Sequence, residues 1–217
     1  MTDAPRVALT FDVEHPDRPH HGEHATWMLD ELRRLDVRAT MFLQGRWVEA
    51  FPDVARRVAS DGHLVGNHSH YHARMPLLSA PGFDEDVRDA ERVITETTGA
   101  DPRPWFRFPF GAGGDDPARH ERLAALGYRH VGWDVELYEW EPGRSADEIA
   151  DAVVAGVAVR GDGAIVLLHS WPDPVAPALA GAVGRLRERG VRFVRVDELD
   201  SPRPGTVTPG ATGEPSA

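Results

Sequence analysis

Two histidines and two carboxylates have spacings that could do chemistry. His68 and His72 stand four positions apart in His68-Ser69-His70-Tyr71-His72, and Asp12 and Glu14 two apart in Thr10-Phe11-Asp12-Val13-Glu14. At the start of a helix, a four-residue spacing turns two imidazoles to the same side, where both can reach one ion. Two histidines leave such a site unfinished, because a zinc-like ion takes a third protein ligand and keeps a position open for water. The chain has no cysteine, which excludes disulfides, thiolate sites and a cysteine nucleophile, so the supplement must be a carboxylate. Asp12 and Glu14 close a strand-like run, where one carboxylate could ligate and the other take a proton from water. The plainer readings are a decorated loop for the histidines and an arginine salt bridge for the acids.

These residues need a scaffold that brings distant segments to one rim. Short runs rich in Val, Ile, Leu and Phe at 7–11, 38–43, 64–66, 105–108, 130–133, 164–168 and 192–196 read as strands. Between them, 25–35, 48–60, 83–98, 117–126, 146–159 and 177–189 read as amphipathic helices, with a capping box at Ser145 and Glu148. The alternation predicts an α/β fold, a distorted, incomplete (β/α)7 barrel, with an open doubly wound sheet as the alternative. In such folds chemistry gathers at the carboxyl ends of the strands. The polar residues there are Asp12, Glu14 and His15, then Asn67 to His72, Asp134, Glu136, Glu139 and His169.

At this level of detail the sequence resembles the polysaccharide deacetylase family, the NodB homology domain of carbohydrate esterase family 4. The resemblance spans roughly 7–199. Thr10-Phe11-Asp12, His68-Ser69-His70-Tyr71-His72, Arg107-Phe108-Pro109-Phe110-Gly111, Glu139-Trp140 and Leu167-Leu168-His169 match five family motifs in order. The resemblance implies that Asp12 is the general base, that His68 and His72 bind a divalent metal, and that the Phe110 backbone N–H serves the oxyanion. It makes His169 the general acid, with Arg107 orienting Asp12 and Glu139 orienting His169. Trp140 and Leu167, with Pro109 and Trp171, would line the substrate pocket. The metal implied is zinc above all, with cobalt, manganese or nickel as alternatives.

Three departures stand out. Val13 occupies the place of the family's metal-binding aspartate and cannot ligate; Glu14, in the register that some members use, is assigned as third ligand, against Asp17, water or no metal. Glu139 replaces aspartate, and Phe110 replaces tyrosine. The implied activity is metal-dependent hydrolysis of a non-peptide amide, an N-acetylated sugar or related small molecule. The rivals are a metal-independent, allantoinase-like amide hydrolase and a non-catalytic carbohydrate-binding domain.

The remaining features bound the reading. One domain over 1–200 and a Pro/Gly/Thr/Ser tail over 201–217, expected to be disordered, account for the 217 residues. A net charge of −11 argues against a nucleic-acid partner, which would draw on clustered basic residues. No apolar leader precedes the first strand and no window approaches a membrane span, so a cytoplasmic protein with no membrane partner is expected. The sequence leaves oligomeric state open. His15, His20, His21 and His24 fall in a Pro-rich segment read as a solvated loop, a second metal site being the less favoured reading, with His20 or His21 able to touch substrate. His63 and His130 are read as structural, His120 as a surface residue, and the acidic stretch 84–96 as ordinary helix surface.

Overall fold

A computed structural model describes residues 4–199; the predicted tail at 201–217 lies outside them. Seven parallel strands form one sheet, β1 (Arg6–Val13), β2 (Thr40–Leu43), β3 (Leu64–Asn67), β4 (Trp105–Phe106), β5 (Arg129–His130), β6 (Ala164–His169) and β7 (Arg192–Phe193). Their order is β5-β4-β3-β2-β1-β6, with β7 pairing the start of β1. Between β5 and β6 the wall is closed by the isolated bridge Val135↔Val166 and by Asp134, whose amide donates to Ile165 O. The result is the expected α/β architecture, a distorted and incomplete (β/α)7 barrel.

The helices are α1 (His21–Arg34), α2 (Gly45–Ala50), α3 (Pro52–Ser60), α4 (Ala80–Thr98), α5 (Pro117–Ala125), α6 (Ala146–Arg160) and α7 (Val175–Glu188). The single helix expected over 48–60 is two. Proline has no N–H to continue the ladder, so α2 ends at Ala50, and Phe51, with φ of −130° and ψ of 57°, turns the chain before Pro52 opens α3. Helix α1 starts four residues earlier than expected because His21, a residue not counted as apolar, leads its buried stripe of Ala25, Met28, Leu29 and Leu32. The capping box at Ser145 and Glu148 is present at the head of α6, an arrangement whose loss typically costs ~1 kcal/mol.

Strand β1 shows how the site is aimed. Val7, Leu9, Phe11 and Val13 pack into the apolar layer beneath the helices, whereas Ala8 belongs to the barrel interior with Phe42, Trp105, Val131, Trp133 and Leu167. Because side chains alternate along a strand, Asp12 and Glu14 share the interior direction and Val13 does not. Strands β4 and β5 are shorter than expected. Beyond β5, the carbonyls of Val131 and Gly132 accept hydrogen bonds from the Arg107 guanidinium, which diverts them from a strand ladder.

Candidate active site

Arg107 has no exposed surface. Its Nη1 donates to Asp12 Oδ1 at 2.9 Å, Nε to Val131 O at 3.0 Å and Nη2 to Gly132 O at 3.1 Å, and its plane lies over the Phe42 ring. One carboxylate oxygen of Asp12 is thus fixed by a buried cation. Its other oxygen, Oδ2, is 3.5 Å from His68 Nε2.

His68 follows β3 and is also fully buried. Its ring Nδ1 lies 2.9 Å from Arg107 O; a carbonyl can only accept, so Nδ1 carries a proton, and Nε2 is the nitrogen that the neutral ring can turn to an ion. That Nε2 is 3.1 Å from Glu14 Oε2, and His72 Nε2 is 2.5 Å from the same oxygen. Ligand atoms of Glu14, His68 and His72 all lie within 4.8 Å of one another. Two imidazole nitrogens and one carboxylate oxygen, with no fourth donor in the group among the described residues, fit a zinc-class cation with an open position. Asp17, weighed as the alternative ligand, is no part of this group: its side chain is 81% exposed and faces Arg46 at 3.9 Å.

Electrostatics follow from this crowding. Burial works to raise the Glu14 pKa, but His72, His15 and His68 outweigh it and hold the carboxyl well below its usual range. Burial likewise works to lower His68, and Asp12 and Glu14 reverse it, so its pKa is raised. For His72 burial prevails over the attraction of Glu14, with His68 and His15 adding repulsion, and its pKa is lowered.

The two histidines do not sit on a helix, which corrects the expectation drawn from their spacing. Residues 68–74 form a loop with left-handed turns at Ser69 (φ 63°) and His72 (φ 57°). Asn67 Oδ1 accepts from Ser69 N, Ser69 Oγ accepts from His72 N, and Asp86 on α4 accepts from the amides of His70 and Tyr71. The loop's polar groups are met by side chains instead of a helical ladder. Asp86 is therefore no ordinary helix-surface residue. It is buried, and burial, against the opposing hydrogen bonds from Tyr71, Ser69 and His70, raises its pKa.

On the opposite side, His169 ends β6. Glu139 Oε1 accepts from its backbone N at 2.6 Å and from its ring Nδ1 at 2.8 Å, leaving Nε2 3.8 Å from Glu14 Oε1. Burial depresses the His169 pKa, but Glu139, Glu14 and Asp12 together lift it to about 9. Trp140 meets the His169 ring edge to face at 4.8 Å, and Trp171 donates from Nε1 to Glu14 Oε1 at 3.4 Å. Both indoles line a groove of ≈ 520 Å³ with Glu139, Arg18 and Arg144. Phe110 sits at φ 57° with its ring 4.4 Å from that of His72, and it is exposed; Pro109 beside it is buried.

The remaining expected residues are placed as follows. Leu167 is paired level with Thr10 on β1, inside the barrel, two residues before His169. Asp134 turns away to Arg160 Nε and the Ile165 amide. The segment 15–24 is not simply a solvated loop. His21 is buried, with Nδ1 on His15 O and Nε2 on Ser170 Oγ, and His24 bonds Trp171 O and faces Asp173. His120 is only half exposed, bonding Gly114 O and packing on His130. His15, at the start of that segment, places Nε2 3.1 Å from Glu14 Oε1. Its one sequence signal is adjacency to Glu14.

The same scaffold occurs in known proteins. A sequence profile of the family Polysaccharide deacetylase matches residues 1–131. A peptidoglycan-N-acetylglucosamine deacetylase of Listeria monocytogenes is 31% identical over 194 residues, covering 89% of this chain and 38% of its own length. The family 4 carbohydrate esterase of Streptomyces lividans, solved with acetate, superposes with a TM-score of 0.77 at 28% identity, covering 88% of this chain and 93% of that one. A family 4 pseudoenzyme from Bacillus anthracis gives 0.80 at 26% identity, covering 94% of this chain and 67% of that one. This chain belongs to the polysaccharide deacetylase family, hydrolases of carbon–nitrogen bonds that deacetylate N-acetyl sugars. Among the described residues no helix is long and apolar enough to cross a membrane.

Proposed function

We propose that this chain is a metal-dependent deacetylase of an N-acetylated amino sugar, with Glu14, His68 and His72 holding the cation. The observation that carries the reading is the convergence of these three donor groups between Asp12, fixed by Arg107, and His169, fixed by Glu139. A divalent ion held there, zinc above all, would polarise the amide carbonyl and lower the pKa of a water to ~7. Asp12 accepts the proton of the attacking water through Oδ2, the oxygen that Arg107 leaves free. The Phe110 backbone N–H donates to the oxyanion of the tetrahedral intermediate, a contribution typically worth ~10² to 10³ in rate. His169, protonated at neutral pH, donates from Nε2 to the departing amine, so that amide and water become acetate and a free amino group. Trp140 and Trp171 offer flat faces to the sugar, and Pro109 shapes the turn that presents Phe110.

The relatives' names favour a glycan N-acetylglucosamine unit as substrate class. The pseudoenzyme neighbour means that the fold alone does not carry catalysis, so the proposal rests on these side chains. The test is Glu14→Ala, with metal content and deacetylation of N-acetylglucosamine oligomers measured together. Both should fall. Retention of both would remove Glu14 from the centre, and a fully active wild-type protein free of metal would favour metal-independent chemistry.

A further inference from the structure

We propose that His15 is a positioning residue of the cation centre, holding Glu14 so that only Oε2 faces the two ligand histidines. The inference rests on the metal-dependent reading above. The two oxygens of Glu14 have separate surroundings. Oε2 lies 3.1 Å from His68 Nε2 and 2.5 Å from His72 Nε2. Oε1 lies 3.1 Å from His15 Nε2 and 3.4 Å from Trp171 Nε1. A carboxylate only accepts, so His15 Nε2–H donates to Oε1. A carboxylate with one oxygen occupied by two N–H donors presents a single oxygen to an ion, and its rotation is blocked.

The chain commits several groups to aiming that imidazole. His15 is a non-glycine residue at φ 59°, in the left-handed region where only a small fraction of such residues lie. It persists because its backbone is held on both sides. Its amide donates to Gln44 Oε1 at 2.9 Å, and its carbonyl accepts from Arg18 N at 3.2 Å and from His21 Nδ1 at 2.6 Å. The carbonyl fixes the proton of His21 on Nδ1, so Nε2 accepts from Ser170 Oγ, the residue after His169. The His15 turn is thereby tied to the end of β6. Its ring also stands edge-on to His72 at 4.9 Å and to Trp171 at 5.9 Å, packing contacts that favour this orientation.

The strained backbone supplies the experiment. Glycine adopts φ 59° without steric strain, so His15→Gly removes the imidazole while easing the backbone. Gln in its place can return an N–H donor at the same reach. Zinc and cobalt affinities by chelator competition, the visible spectrum of the cobalt-loaded protein and the unfolding temperature of the metal-free protein are measured for wild type, His15→Gly and His15→Gln. Metal-free His15→Gly should unfold at or above the wild-type temperature, bind both ions about 10- to 100-fold more weakly and shift the cobalt spectrum. His15→Gln should recover most of the affinity. Wild-type affinity and spectrum in His15→Gly would overturn the assignment of His15 alone. Failure of His15→Gln to recover affinity would also overturn it, since an imidazole that itself ligates cannot be replaced by an amide. A wild-type protein that binds neither ion would overturn the metal-dependent reading together with this one.

Discussion

Asp12 and Glu14 are two residues apart on the same face of β1, yet their surroundings differ in kind. Asp12 faces a guanidinium that is charged at any working pH and has its other donors spent on Val131 and Gly132. Glu14 faces imidazoles, which can give up a proton and offer a lone pair instead. The interior of the barrel therefore holds a permanent ion pair, and the rim just above it holds a group whose positive partner can be exchanged for a cation. Equal burial does not mean equal role; the chemistry of the neighbour decides.

The largest effect should come from breaking the permanent pair. Arg107→Leu leaves Asp12 buried without its counter-charge and should cost about 3–5 kcal/mol of stability, read by denaturant unfolding. Asp12→Asn keeps an acceptor for Arg107 and removes the base. Its kcat should fall ~10²- to 10⁴-fold while zinc affinity, read by chelator competition, stays near wild type. Loss of zinc binding in Asp12→Asn would erase the distinction between the two acids. At the exchangeable site, zinc at 100 times its Kd should add about 2.7 kcal/mol to stability by ligand linkage. Chelator should remove that increment from the wild type, and Glu14→Gln should lack it from the start.

The smallest effect per residue sharpens the comparison with histidines whose burial outweighs any nearby carboxylate. Burial lowers the pKa of His21 and His63 to about 4 and of His130 to about 3. Their folded pKa values lie below the unfolded value of ~6.5, so as pH falls the unfolded chain takes up protons first. The stability they contribute is complete above pH ~6.5 and is lost between there and about pH 4 for His21 and His63, and about pH 3 for His130. The slope should be about 1.4 kcal/mol per pH unit for each histidine, and His63→Gln should remove one of the three contributions. An unchanged slope would show that His63 is protonated in the folded protein.

Much of the scaffold was legible because parallel strands buried on both faces read as short apolar runs. The period-two spacing of Asp12 and Glu14 was legible for the same reason: on a strand it has one geometrical meaning. The histidine pair meets Glu14, but on a backbone its spacing does not suggest. A four-residue spacing suggests a helical turn, but at Ser69 and His72 the chain turns left-handed, a choice set by Asn67, Ser69 and Asp86 through space. Asp86 was hidden in an acidic helix, where only its burial against the loop sets it apart. His15 and His21 were hidden because the 15–24 segment has no periodicity, and their roles are fixed by Gln44 and Ser170 from elsewhere in the chain.

The grip of Glu139 on His169 has a mechanical consequence. A single carboxylate oxygen clips both the main-chain nitrogen and the ring of one residue, so the imidazole cannot swivel independently of the strand that carries it. Its heading is a property of β6 itself, and any slip of that strand against β1 would turn the ring as a dial turns with its shaft.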